Sequence, residues 1–138
     1  KQVSKFSKIP CIADDSGLEI NALGGFPGTM TKRWMNGSDH DRNLKIIQML
    51  DGLKKNDRKC KFICALAFCW NDITIFEIGK IDGYISTIPK GKNGFGFDEI
   101  FELEDGRTLA ELSIDEKNQI SARKIAFEKL STKIKNII

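Results

Sequence analysis

The spacing of apolar positions changes several times along this chain, and each change predicts an element. Val3 and Phe6 stand three apart, as in a helix over residues 1–8 that Pro10 stops. Ile9 to Ala13 is a short apolar run, read as a strand that ends in the turn-forming residues Asp14-Asp15-Ser16-Gly17. Leu18, Ile20 and Ala22 then alternate with polar neighbours, which predicts a half-buried strand to Leu23, followed by a glycine-rich loop over Gly24–Gly28. Leu44, Ile47, Leu50 and Leu53, joined by Ile46 and Met49, keep helical spacing, with Ser38 or Asp39 as cap and Gly52 near the end.

Lys61 to Trp70 is almost unbroken apolar sequence and predicts a strand buried on both faces. Asn71-Asp72 signals a turn, and Ile73 to Ile78 returns as a second strand, so the pair reads as a hairpin; Ile81 to Ile85 continues extended after Gly79. Pro89, Gly91, Gly94 and Gly96 make residues 86–98 a loop, and Ile100–Leu103 reads as one more short strand. Ser113 to Glu116 matches a capping box. Ala122, Ala126, Leu130, Ile134 and Ile138, four apart, predict a final helix from about Ser121 to the C-terminus. The sum is an α/β fold, a mixed central sheet flanked by helices, because hairpin and crossover connections both occur. No repeat or linker divides it, so residues 1–138 read as a single domain.

At 138 residues the chain falls within the roughly 100–200 of one domain and can bury a core without staples. A composition of 41% hydrophobic and 30% charged residues excludes a disordered chain. No apolar run approaches the roughly 18 residues of a membrane helix, and Lys1 to Lys5 leads into mixed sequence rather than a signal-peptide block. With 22 basic and 19 acidic residues the net charge is +3, too balanced to predict nucleic acid or a membrane as partner. Cys11, Cys60, Cys64 and Cys69 form no C-x-x-C pair, and the single histidine, His40, is distant; zinc spacing is absent, and the cysteines read as buried reduced thiols of a cytoplasmic protein.

Three loops carry polar residues that packing does not require, and each has two readings. Asp14 and Asp15 are adjacent like charges, which stay ionised together only beside a positive compensator. Mg²⁺ held by carboxylate oxygens is one compensator; the other reading is a plain Asp-Asp-Ser-Gly turn. Phe95, between Gly94 and Gly96, has no bulky neighbour to shield it and suits stacking on a base, with Lys90 and Lys92 to attract phosphate; the alternative is an ordinary surface loop. Lys117 and Arg123 flank a helix start whose free N–H groups suit an anion; the alternative is a solvated charged face. Together these are the parts that a Mg²⁺-dependent enzyme acting on a nucleotide requires.

The order and wording of these stretches resemble the inosine/xanthosine triphosphate pyrophosphatase family. The matching segments are Ile12-Ala13-Asp14-Asp15-Ser16-Gly17-Leu18-Glu19, Ala22-Leu23-Gly24-Gly25-Phe26-Pro27-Gly28, Gly94-Phe95-Gly96-Phe97-Asp98-Glu99-Ile100-Phe101, Thr108-Leu109-Ala110-Glu111-Leu112 and Glu116-Lys117-Asn118-Gln119-Ile120-Ser121-Ala122-Arg123. The resemblance implies two lobes with a cleft between them. It implies Mg²⁺-dependent hydrolysis of deaminated purine nucleoside triphosphates (ITP, dITP, XTP) to the monophosphate and pyrophosphate, and a homodimer. By residue, it implies Asp15 as proton acceptor and metal ligand, with Asp14 beside it at the metal, and Ser16 as a substrate contact. It further implies that Phe95, Gly96, Phe97 and Asp98 hold the nucleotide with Phe95 stacked on the base, and that Lys117 and Arg123 contact the substrate.

Two departures carry expectations of their own. Ala122 stands where the family has histidine in the substrate-contacting segment, which predicts altered base selectivity. The family's N-terminal strand and phosphate-binding Thr/Ser-x-Asn-x-x-Lys loop precede everything seen here, so the chain reads as N-terminally incomplete. An uncovered sheet edge then predicts compensating dimerisation. The alternative function is a catalytically impaired nucleotide-binding or interaction protein on the same scaffold.

Overall fold

In the computed structural model, which describes residues 1–137, the chain runs α1 (Gln2–Ser7), β1 (Cys11–Ile20), β2 (Pro27–Gly28), α2 (Asp39–Met49), β3 (Lys59–Trp70), β4 (Ile73–Ile85), β5 (Phe101–Glu102), α3 (Ile114–Ile120) and α4 (Ala122–Ile137). Ile138, the last apolar position of the predicted final helix, lies outside the described residues. The strands form one sheet in the order β2-β1-β3-β4-β5. Every neighbouring pair is antiparallel, so the expected mixed sheet is corrected to an antiparallel one among the described residues.

The largest departure from the expected elements concerns Asp14 to Gly17. These residues are not a turn between two strands but the middle of β1, paired along β3 from Cys11 opposite Cys69 to Ile20 opposite Cys60. Continuous backbone pairing with β3 outweighs the local turn preference of Asp, Ser and Gly. The consequence is chemical. Strand side chains alternate, so Asp14 and Ser16 share the face of the buried Leu18 and Ile20, while Asp15 lies on the opposite face. At its other end β1 stops at Ile20 rather than Leu23, because Gly24, at φ 64°, lets the chain turn back and donate its N–H to the Asn21 carbonyl.

The apolar run of β3 is buried mainly on one face, with Cys69 alone buried on the other. Cys60, Cys64, Leu66 and Phe68 are buried, while Lys61, Ile63, Ala65 and Ala67 are partly open. The covered face carries two apolar clusters. In one, Leu18, Ile20, Ile46, Leu50, Ile85, Ile100 and Phe101 bring α2 onto the sheet; in the other, Ala122, Ala126 and Leu130 of α4 pack on Cys64, Leu66 and Phe68. Phe62 and Ile81 touch both. Helix α4 approaches β4 so closely at Gly79 that a Cβ there would stand 1.8 Å from the Ala122 carbonyl oxygen. Buried Arg58 ties the first cluster together, donating from Nε to the Ile85 carbonyl, from Nη1 to Leu50 and from Nη2 to Ser86, each at 2.7 Å. Cys60, Cys64 and Cys69 are buried and Cys11 is half-buried, all as free thiols; burial pushes the Cys60 thiol up to about 12. No described helix is long and apolar enough to cross a membrane.

Candidate functional site

Where the two clusters part, Phe62 and Ile81 form the floor of a cavity of about 210 Å³. Its walls come from distant parts of the chain: Ser16 of β1, the loop from Phe95 to Asp98, Lys117 of α3, and Ser121 to Arg123 at the start of α4. Ligand sites usually run to about 300–1,000 Å³, so this cavity suits one flat ring system rather than a whole nucleotide. A wider cavity of about 720 Å³ adjoins it, sharing Phe95, Lys117 and Arg123 and bordered by Asp14.

Phe95 stands between the two cavities with 73% of its surface exposed. The loop backbone that carries this ring is held by surrounding side chains. Asp98 accepts the Phe95 N–H at 3.0 Å and forms a close ion pair with Lys117, whose ammonium lies 5.3 Å from the centre of the Phe95 ring. Gly94 permits this arrangement: at φ 80° it is left-handed, and a Cβ there would stand 2.1 Å from the Asp98 carboxylate. On the far side, α2 grips both ends of Gly96. Asp39 accepts its N–H at 3.0 Å, and Asn43, almost wholly buried, donates to its carbonyl at 2.7 Å and to Glu99 at 2.9 Å.

In the sequence Asp39 is only a candidate helix cap, and nothing assigns Asn43 to the site. The cap is Ser38, in a reciprocal box with Asp41. Nothing local reveals that the next turns of α2 reach a loop more than fifty residues away. Arg42 donating at 2.8 Å, with help from the Gly96 N–H and Lys32, holds the Asp39 carboxyl below the usual carboxylate range. The folded state therefore binds this proton less readily than the unfolded chain. The group's contribution to stability is present at neutral pH and is lost as pH falls below about 4. Thermal unfolding at pH 3 and pH 6 is expected to show a larger acid loss of Tm in the wild-type protein than in Asp39→Asn, which has no carboxyl to titrate.

The two aspartates part company. Asp14 receives Arg123 Nε at 2.5 Å and Nη2 at 3.3 Å, and also the Ser16 hydroxyl at 3.2 Å. Arg123 holds its carboxyl below the usual range. The compensating charge predicted beside the acidic pair is thus a guanidinium at Asp14. The Asp14 carboxylate is taken up by this ion pair, and its neighbour faces the other way. Asp15 is exposed and lines neither of the two cavities. No group of three metal-binding side chains occurs among the described residues.

Other expectations shift too. Lys90 does not wait for phosphate; it donates to Glu102 at 3.1 Å and to the Gly106 carbonyl at 2.6 Å. The helix start before Lys117 is closed by its own box, with Ser113 and Glu116 bonded reciprocally. Ala122 is buried against the sheet and contributes to the small cavity's wall.

Comparison with known proteins places these features in company. The model of the Ham1 family matches residues 1–133. A dITP/XTP pyrophosphatase of Bacillus licheniformis is 44% identical over 133 residues, covering 94% of this chain and 68% of that protein. One of Geobacillus kaustophilus is 43% identical over 140 residues, covering 98% and 68%. Among solved structures, the Staphylococcus aureus Ham1 protein superposes with a TM-score of 0.89 at 35% identity, over 97% of this chain and 71% of that one. A HAM1 protein from Coxiella burnetii gives 0.86 at 39% identity, over 94% and 69%. The chain spans 60% to 71% of the length of the curated relatives compared.

Proposed function

This chain belongs to the Ham1 family, and from that premise we propose that it hydrolyses deaminated purine nucleoside triphosphates (dITP, ITP and XTP) to the monophosphate and pyrophosphate, acting on free nucleotides in the cytoplasm. The observation that carries the reading is the small apolar-floored cavity with the exposed Phe95 ring at one side and the Arg123 guanidinium at another. The ring stacks on the base, and Phe97 and Ile120 enclose it. Arg123 and Lys117 offer donors. A 6-oxopurine presents an acceptor to them, whereas the amino group of adenine presents hydrogens and leaves a donor unpaired once the base covers it.

In this reading Asp15 accepts a proton from the water that attacks the α-phosphorus. The bond from that phosphorus to the bridging oxygen breaks, and pyrophosphate leaves with the bonding electron pair. The Mg²⁺ part of the proposal rests on Asp15 alone among the aspartate pair. Mg²⁺ commonly takes one or two carboxylates plus substrate phosphates, so an exposed Asp15 fits such a share and the Arg123-bound Asp14 does not. When bound, the ion would neutralise phosphate charge. Pairing into homodimers belongs to the same proposal. Its support is the edge of β4, which pairs with β5 only at Tyr84 and Ile85.

Pyrophosphate release from dITP, XTP and dATP tests the reading. Preference for the first two by about a hundredfold in kcat/KM is expected, and equal rates on all three would overturn it. Phe95→Ala is expected to raise KM for dITP about tenfold with a smaller change in kcat, since stacking acts on the bound base. A second reading, nucleotide binding without turnover, is favoured by Asp15 lying outside both cavities. Tight binding of dITP with no pyrophosphate released would select it.

A further inference from the structure

Asp14 is the residue of the acidic pair that the proposed chemistry leaves without a task. It sits on the same face of β1 as Ser16, and across from both lies Arg123 at the first turn of α4, 109 residues on in sequence. The three side chains close a triangle. Arg123 Nε and Nη2 donate to the two Asp14 oxygens, and Nη2 also reaches the Ser16 hydroxyl at 3.3 Å. That hydroxyl donates onward to Asp14 at 3.2 Å, so it accepts from one partner and donates to the other. Two contacts along one edge of the guanidinium fix its plane as well as its position. Arg123 lines the small cavity, Asp14 does not, and Ser16 lies between them in the wall.

We propose that Asp14 is a positioning residue for base selection: through this triangle it holds the Arg123 guanidinium at the cavity wall in the one orientation that meets the oxygen of a 6-oxopurine. The inference rests on the functional reading above and deepens it. An arginine free to swing meets bases of either kind through different rotamers and can also turn to phosphate. An arginine clamped along one edge presents the same donors to every ligand, so a ligand without a matching acceptor is refused.

The test is equilibrium binding of IMP and AMP, without metal, to the wild-type protein, Asp14→Asn, Asp14→Glu, Arg123→Gln and the Asp14→Asn/Arg123→Gln double variant. The ratio of the two affinities is read, because removing a negative charge shifts phosphate binding of both nucleotides alike. Asp14→Asn is expected to lower the IMP preference about tenfold, Asp14→Glu to recover much of it, and the double variant to lose no more than Arg123→Gln alone. Asp14→Ser, judged folded by circular dichroism, serves if the asparagine variant does not fold. A preference unchanged in Asp14→Asn, or losses that add in the double variant, would overturn the proposal while leaving the functional reading intact. A wild-type protein that binds AMP as well as IMP would overturn both.

Discussion

Asp15→Asn is expected to lower pyrophosphate release from dITP by about a hundredfold to ten-thousandfold, in kcat rather than KM. Asparagine is nearly isosteric but cannot take a proton, so the loss measures the carboxylate and not its bulk. Asp15 is exposed on β1, away from the packed face, and the variant is expected to melt at the wild-type temperature. The experiment pairs naturally with Asp14→Asn. If Asp15 serves the reaction and Asp14 serves Arg123, the first variant loses rate and the second loses discrimination between bases. The reverse outcome, full turnover in Asp15→Asn and none in Asp14→Asn, would exchange their roles. A magnesium titration adds a separate readout: if Asp15 also carries the ion, the residual activity of Asp15→Asn moves to higher Mg²⁺ concentration.

The second large effect is structural. Gly79→Ala places a methyl group 1.8 Å from the Ala122 carbonyl oxygen and 2.7 Å from the Ala126 amide nitrogen. Both are backbone atoms of α4, so no rotamer change relieves the contact, and the helix must lift from β4. Overpacking of this kind costs about 3 kcal/mol, or a fall of about 10 °C in Tm for a domain of this size. The cost reaches the site, because α4 carries Ala122 and Arg123 at the end that would move. At temperatures where Gly79→Ala remains folded, its KM for dITP is therefore expected to rise. Thermal melts together with KM at 20 °C check the two parts separately, and an unchanged Tm would show that α4 does not seat on Gly79.

Much of this arrangement was legible in the order of residues. The hairpin around Asn71-Asp72, the helix after Ser38, the box at Ser113 and the final amphipathic helix all depend on contacts within a few residues, and local pattern reports such contacts. The motif segments likewise bring Ser16, Phe95 to Asp98, Lys117, Ala122 and Arg123 together, and the structure puts all of them around one cavity. The clamp of Asp39 and Asn43 on Gly96 was not legible, since polar residues in a helix's first turns ordinarily serve its own N-terminus.

The acidic pair divides most plainly between the two levels. From sequence alone, two adjacent aspartates before Ser-Gly read either as a turn or as a pair beside a positive charge, and a positive charge does stand at one of them. Which charge it is, and at which aspartate, was decided by β3. By pairing along the whole of β1 it turned an apparent bend into a strand, and a strand sends successive side chains to opposite faces. One aspartate thereby met an arginine 109 residues away and the other was left to solvent, a separation that no reading of neighbouring residues contains.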